Sequence, residues 1–132
     1  MSMSAANTKR ALIGGVFDYL HIGHVRLFKT AKEYCNYLVV VVASDAVAAK
    51  KRPIHNQDER AELVAAVRYV DEVIKGRPKP DWRIAEEADF IILGPDQPPV
   101  PLKKPIVRIC EELAPHRSSQ KKAQDFKIVR SY

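Results

Sequence analysis

No apolar run in this chain of 132 residues approaches the ~20 residues that a membrane-spanning helix needs. The first nine residues are polar and hold no signal-peptide core, so a cytoplasmic protein with no membrane partner is expected. Cysteine is scarce. Cys35 and Cys110 are the two present and neither belongs to a C-x-x-C pair, which excludes a disulfide framework. Cys35 adjoins an apolar run and reads as a small buried hydrophobe. Cys110 reads as a core or exposed residue, with a place near a reactive site as the alternative. Internal repeats and interdomain linkers are missing too, so one domain over 1–132 is expected, with 1–8 a disordered start. Acidic residues are in deficit, 16 against 22 basic, for a net charge of +6. The imbalance is local: after Leu102 come Lys103, Lys104, Arg108, Arg117, Lys121, Lys122, Lys127 and Arg130 against Glu111, Glu112 and Asp125. Such a tail fits an anionic partner, phosphate groups or nucleic acid, although a solvated helix face reads the same way.

What is present is an alternation of strands and helices. Residues 8–13 read as a strand that ends at Gly14 and Gly15. Leu27, Phe28, Ala31 and Tyr34 stand at helical spacing over 25–34. The unbroken apolar run 38–43, with valine at 39–42, is the mark of a strand covered on both faces. A basic loop follows through Lys50, Lys51, Arg52 and Pro53. Asn56 with Glu59 three residues on predicts a capping box, and Ala61, Leu63, Val64 and Val67 would form the buried side of that helix. Residues 69–74, 90–93 and 106–109 read as strands, 81–87 as a short helix, and 117–132 as a basic C-terminal helix capped by Ser118 or Ser119. The alternation implies an α/β fold on a parallel sheet. Pro95, Pro98, Pro99, Pro101 and Pro105 exclude a helix where the last crossover should run, and the segment is barely long enough to connect two parallel strands.

The stretch with most chemistry is Gly14-Gly15-Val16-Phe17-Asp18-Tyr19-Leu20-His21-Ile22-Gly23-His24. Glycines without Cβ let backbone approach phosphate oxygens. A helix starting near Ile22 or Gly23 aims free N–H groups and the positive end of its dipole at the same place. His21 and His24, three apart, add two donors on one face of its first turn. The rival reading makes them capping or core histidines.

These residues resemble the G-x-F-D-x-x-H-x-G-H signature of the cytidylyltransferase-like nucleotidyltransferases, which include glycerol-3-phosphate cytidylyltransferases and archaeal FAD synthases. The resemblance implies a Rossmann-like open parallel sheet with helices on both faces. It also implies attack by an acceptor phosphate on the α-phosphorus of ATP or CTP, with loss of pyrophosphate. His21 and His24 would then be catalytic, donating to phosphate oxygens, with Gly14, Gly15, Val16, Phe17, Asp18 and Gly23 around the phosphates. Val16 stands where threonine is commonest; only a hydroxyl is lost. Asp18 is expected to fix its loop by accepting backbone N–H groups rather than to ligate metal directly. No protein metal site is expected; Mg²⁺ would be held mainly by the phosphates.

One of Lys50, Lys51 and Arg52 would reach the triphosphate or acceptor, Lys51 being the candidate. Arg60, in a run similar to the family's E-x-R, would hold phosphate, or else form a surface ion pair with Glu62 or Asp58. Gly94-Pro95-Asp96-Gln97 resembles the L-G-x-D-Q of archaeal FAD synthases and would place Gly94, Asp96 and Gln97 at the nucleotide, Asp96 being otherwise a turn residue. Ser118 and Ser119 are similar to a serine-rich phosphate cradle at the family's last helix, although the glycine and isoleucine before it are missing. FMN adenylyltransfer is thus the leading expectation. Cytidylyl transfer to glycerol 3-phosphate or a similar phospho-alcohol is the alternative, and a nucleotide-binding module without transferase activity a third. The proline segment implies an acceptor side that is trimmed or completed by a second subunit, hence a homodimer. Few aromatics could stack a flavin; Tyr19 and Trp82 are the candidates. Nucleic acid is not an expected substrate.

Overall fold

The computed structural model describes residues 8–79, 82–94 and 103–109. Among these residues five strands form one sheet in the order β3-β2-β1-β4-β5, and each of their pairings is parallel. They are β1 (Arg10–Gly15), β2 (Tyr37–Val42), β3 (Glu72–Lys75), β4 (Phe90–Leu93) and β5 (Ile106–Arg108). Among the described residues three α-helices intervene: α1 (Ile22–Ala31), α2 (Asp45–Ala48) and α3 (Gln57–Ala65). The α/β expectation therefore holds.

Side-chain alternation along the strands divides the core in two. Ala11, Ile13, Leu38, Val40, Val42 and Ile92 meet Leu27, Phe28 and Ala31 of α1 and Val64 of α3. Leu12, Val39, Ile91 and Leu93 point to the other face, where they meet Ala85 and Ala88. Helical segments lie on both faces of the sheet, as expected. Among the described residues α1 and α3 share one face, and the other carries a 3-10 helix at Trp82–Ala85, in place of the expected helix over 81–87.

Other boundaries move for identifiable reasons. β1 runs on through both glycines because β2 continues to pair with it, Gly14 opposite Val41 and Gly15 opposite Val42. β3 starts at Glu72 because residues 67–71 are committed elsewhere. Val70 N–H closes a turn on Val67 O, and the Asp71 carboxylate takes the Leu38 N–H at 2.7 Å and the Lys32 ammonium at 2.6 Å. The basic stretch is not an open loop: α2 leads directly into a 3-10 helix at Ala49–Lys51. Leu63 is 39% exposed, whereas Arg60 is wholly buried on the inner side of α3. Cys35 is a core residue as expected, its thiol donating to Ala31 O, with burial pushing its pKa up. Prediction of the 56–59 capping box is met on both arms, Asn56 Oδ1 accepting from Glu59 N at 2.8 Å and Glu59 Oε1 from Asn56 N at 3.1 Å.

β4 and β5 pair in parallel, with Ile91 opposite Ile106, so the strands on either side of the proline segment are neighbours in the sheet. The chain direction of strand addition reverses between β1 and β4, and in an open α/β sheet the crevice at such a point takes the ligand.

Candidate active site

The loop from Val16 to His21 lies at the carboxyl end of β1, on one side of this crevice, and Gly94 lies at the end of β4 on the other. Phe17 and Tyr19 have φ of 55° and 49°, a left-handed backbone that costs of order 1–3 kcal/mol per residue and must be held by its surroundings. Between them Asp18, 2% exposed, does that holding. Its Oδ2 accepts from Ile54 N at 2.9 Å and its Oδ1 from His55 N at 3.1 Å. The Phe17 ring is buried, edge-on to His24 at 5.5 Å between centroids and 5.4 Å from Phe28.

The two glycines differ. A Cβ on Gly15 would stand 2.8 Å from Phe17 Cζ, so this glycine makes room for a core ring. A Cβ on Gly14 would meet only Val41 O, at an ordinary 3.9 Å. The fold thus requires glycine at 15 and not at 14. Gly15→Ala is expected to destabilise by about 1–3 kcal/mol through overpacking, and Gly14→Ala by well under ~1 kcal/mol; urea midpoints compare them.

His21 and His24 form a capping box of two histidines at the start of α1. His21 Nδ1 accepts from Gly23 N at 3.0 Å, and His24 Nδ1 accepts from His21 N at 3.2 Å. An imidazole nitrogen that accepts cannot carry the proton, so each neutral ring bears it on Nε2. The capping and donating readings of these histidines are therefore compatible: Nδ1 caps, and Nε2–H is the donor. Gly23 has a more local part than expected, since its N–H is taken by the His21 ring.

The rings stand 4.1 Å apart, and His24's pKa is pushed down to about 3, by burial first and then by the charges of His21 and Lys51. Unfolded histidine titrates near 6.5. Between pH 6.5 and about 3 the unfolded chain therefore binds a proton that folded His24 refuses. The contribution is complete above pH 6.5 and is lost as pH falls through that window. Urea midpoints measured from pH 7.5 down to 4 should drop, and the drop should be shallower in His24→Asn.

Lys51 is exposed at the end of its 3-10 helix, and its charge, unlike those of Lys50 and Arg52, is among those acting on His24. Arg60 departs from both expectations for it. Its side chain has no exposed area, and it donates from Nε to His55 O at 3.0 Å, from Nη1 to Val16 O at 2.9 Å and from Nη2 to Asp45 Oδ1 at 2.9 Å. It sits behind the loop as a brace, and its ion-pair partner is Asp45 rather than Glu62 or Asp58. Gly94 is buried, its carbonyl accepting from Arg108 Nη1 at 3.0 Å. Asp96, Gln97, Ser118, Ser119 and Cys110 lie outside the described residues. Sequence reasoning missed Asp45 and Gln57, whose side-chain amide joins Val42 O and Gly76 O at the ends of β2 and β3. Ser44, an N-cap residue after a strand, was a signal for the helix that carries Asp45.

A family model described as cytidylyltransferase-like matches residues 12–117. The chain belongs to the cytidylyltransferase-like family. It is 49% identical over 94 residues to the FAD synthase of Thermococcus kodakarensis, covering 67% of this chain and 63% of that one. It is 33% identical over 96 residues to the glycerol-3-phosphate cytidylyltransferase of Bacillus subtilis, covering 67% and 72%. Among solved structures it resembles the lipopolysaccharide core biosynthesis protein of Thermoplasma volcanium GSS1, with a TM-score of 0.71, 32% identity, and coverage of 78% of this chain and 97% of that one. The match thus spans a little under two thirds of the archaeal FAD synthase. No helix among the described residues is long and apolar enough to cross a membrane.

Proposed function

We propose that this cytidylyltransferase-like protein transfers a nucleoside monophosphate from a nucleoside triphosphate to a phosphorylated acceptor. The observation that carries this is the pair of capped histidines, with both Nε2–H donors beside an α-helix N-terminus at the sheet's crevice. An acceptor phosphate oxygen forms a bond to the α-phosphorus, the bond from that phosphorus to the bridging oxygen breaks, and pyrophosphate departs. Negative charge builds on the leaving oxygens. His21 and His24 donate to them through Nε2–H, and Lys51 adds a positive charge. This reaction is governed by positioning and electrostatic stabilisation. Because His24 stays neutral far below physiological pH, its donor is in place across the working range.

Mg²⁺ on the nucleotide would neutralise phosphate charge. This chain fits a metal held by phosphates rather than by a protein cage. Among the described residues no three His, Cys, Asp or Glu side chains gather to hold an ion, and both Asp18 oxygens already accept N–H groups.

FMN is the proposed acceptor and ATP the donor, supported by the 49% identity to an archaeal FAD synthase and by Gly94-Pro95-Asp96-Gln97 in the sequence. Cytidylyl transfer to glycerol 3-phosphate is the second reading, favoured by the Bacillus subtilis relative. A cytoplasmic homodimer, with the second subunit walling the side of the proline segment, completes the proposal. The test is pyrophosphate release with Mg²⁺, crossing ATP and CTP against FMN and glycerol 3-phosphate, with the mass in solution measured by light scattering. Release with ATP and FMN alone supports the first reading, and release with CTP and glycerol 3-phosphate replaces it. Nucleotide binding with no release across the grid would return the protein to a binding module.

A further inference from the structure

The guanidinium of Arg60 joins three segments that are distant in sequence: the loop after β1 at Val16, the start of α2 at Asp45, and the turn before α3 at His55. The last of these is tied back to the first, since His55 N–H donates to Asp18. From Asp45 the chain has little freedom before Lys51. Ser44 is buried and caps α2 by accepting from Val47 N at 3.1 Å. Ala48 is fully buried, the 3-10 helix at Ala49–Lys51 follows without a break, and Arg52 closes it in a left-handed conformation with its N–H on Ala49 O. Two single turns are too short to hold themselves, so tertiary anchors fix where they point.

We propose that Asp45 is a positioning residue that, through Arg60, sets the Lys51-bearing turns against the loop and helix start that carry His21 and His24. The inference rests on the reading of that loop as a phosphate site. Asp45 itself is 59% exposed, and an ion pair with so much water around one partner adds little stability. Its effect is geometric: the same buried cation that holds Val16 O also receives the carboxylate at the root of the Lys51 segment. The action of Lys51's charge on His24 agrees with this placement.

The experiment measures binding of inorganic pyrophosphate, with Mg²⁺, to the full chain and to Asp45→Ala, Asp45→Glu, Lys51→Ala and the Asp45→Ala/Lys51→Ala double variant. Losing one charge-assisted contact should weaken pyrophosphate about tenfold in Lys51→Ala. Asp45→Ala should weaken it by a similar factor while its thermal unfolding stays cooperative and its melting temperature well above that of the binding assay. The double variant should bind as Lys51→Ala does, within about twofold, because the lysine that Asp45 positions is already gone. Asp45→Glu should recover part of the affinity. Parental affinity in Asp45→Ala, or independent losses that multiply in the double variant, would overturn the proposal while leaving the phosphate site standing. A parent chain that binds no pyrophosphate would remove the phosphate reading, and this proposal with it.

Discussion

His24→Asn should reduce turnover by about 10²–10³-fold with the fold intact. The asparagine Oδ1 can occupy the place of the imidazole Nδ1 and accept the His21 N–H that closes the capping box at 3.2 Å. It has nothing at the position of Nε2. The substitution thus separates the two jobs of one ring. His24→Ala loses both, and is expected to add a capping loss of about 1 kcal/mol to the same fall in rate. Pyrophosphate release under saturating substrates and urea unfolding of both variants check this. Turnover in His24→Asn within a few-fold of the parent would mean that Nε2–H does not donate to the transition state, and the catalytic role assigned to His24 would fall.

Arg60→Ala should cost about 3–5 kcal/mol of stability, a large part of the ~5–15 kcal/mol typical of a small domain. The side chain has no exposed area and makes three hydrogen bonds, two of them to backbone carbonyls that no other described group is shown to serve. Hydrogen bonds from a charged donor contribute about 1.5–3 kcal/mol each, and removal also opens a cavity beside the core. Arg60→Lys should recover only a minor part, since a point charge cannot span Val16 O, His55 O and Asp45 as a planar fork does. Urea unfolding with an unchanged m-value is the readout. A loss below about 1 kcal/mol would show that the loop after β1 holds its left-handed residues without this brace, Asp18 alone being sufficient.

Much of the fold was legible because its signals are local. The valine run announced a strand buried on both faces, and residues 39–42 pair with strands on either side. Asn56 and Glu59 announced a helix start, and both arms of the box form. The strand at Phe90–Leu93 lies where its apolar residues and Gly94 put it. Errors came where a residue has a distant partner. Residues 69–71 have the composition of a strand, but Asp71 is drawn off to Leu38 and Lys32. Leu63 has the composition of a core position, yet α3 turns Arg60 and Val64 inward and leaves it half out.

The candidate site divides the same way. The sequence by itself determined the succession of strands and helices, the loop and helix start that bring His21 and His24 together, and the family to which the chain belongs. Those depend on spacing within a turn or two of backbone, which one chain displays directly. Only the tertiary structure decided that both histidines cap through Nδ1, that Gly15 yields its space to Phe17, and that Arg60 stands behind the loop after β1 with Asp45 as its partner. The pair Asp45 and Arg60 and the pair Val16 and Arg60 lie 15 and 44 residues apart in the chain. A hydrogen bond across such a separation has no period or motif, because it is made by the folding of separate strands onto one sheet.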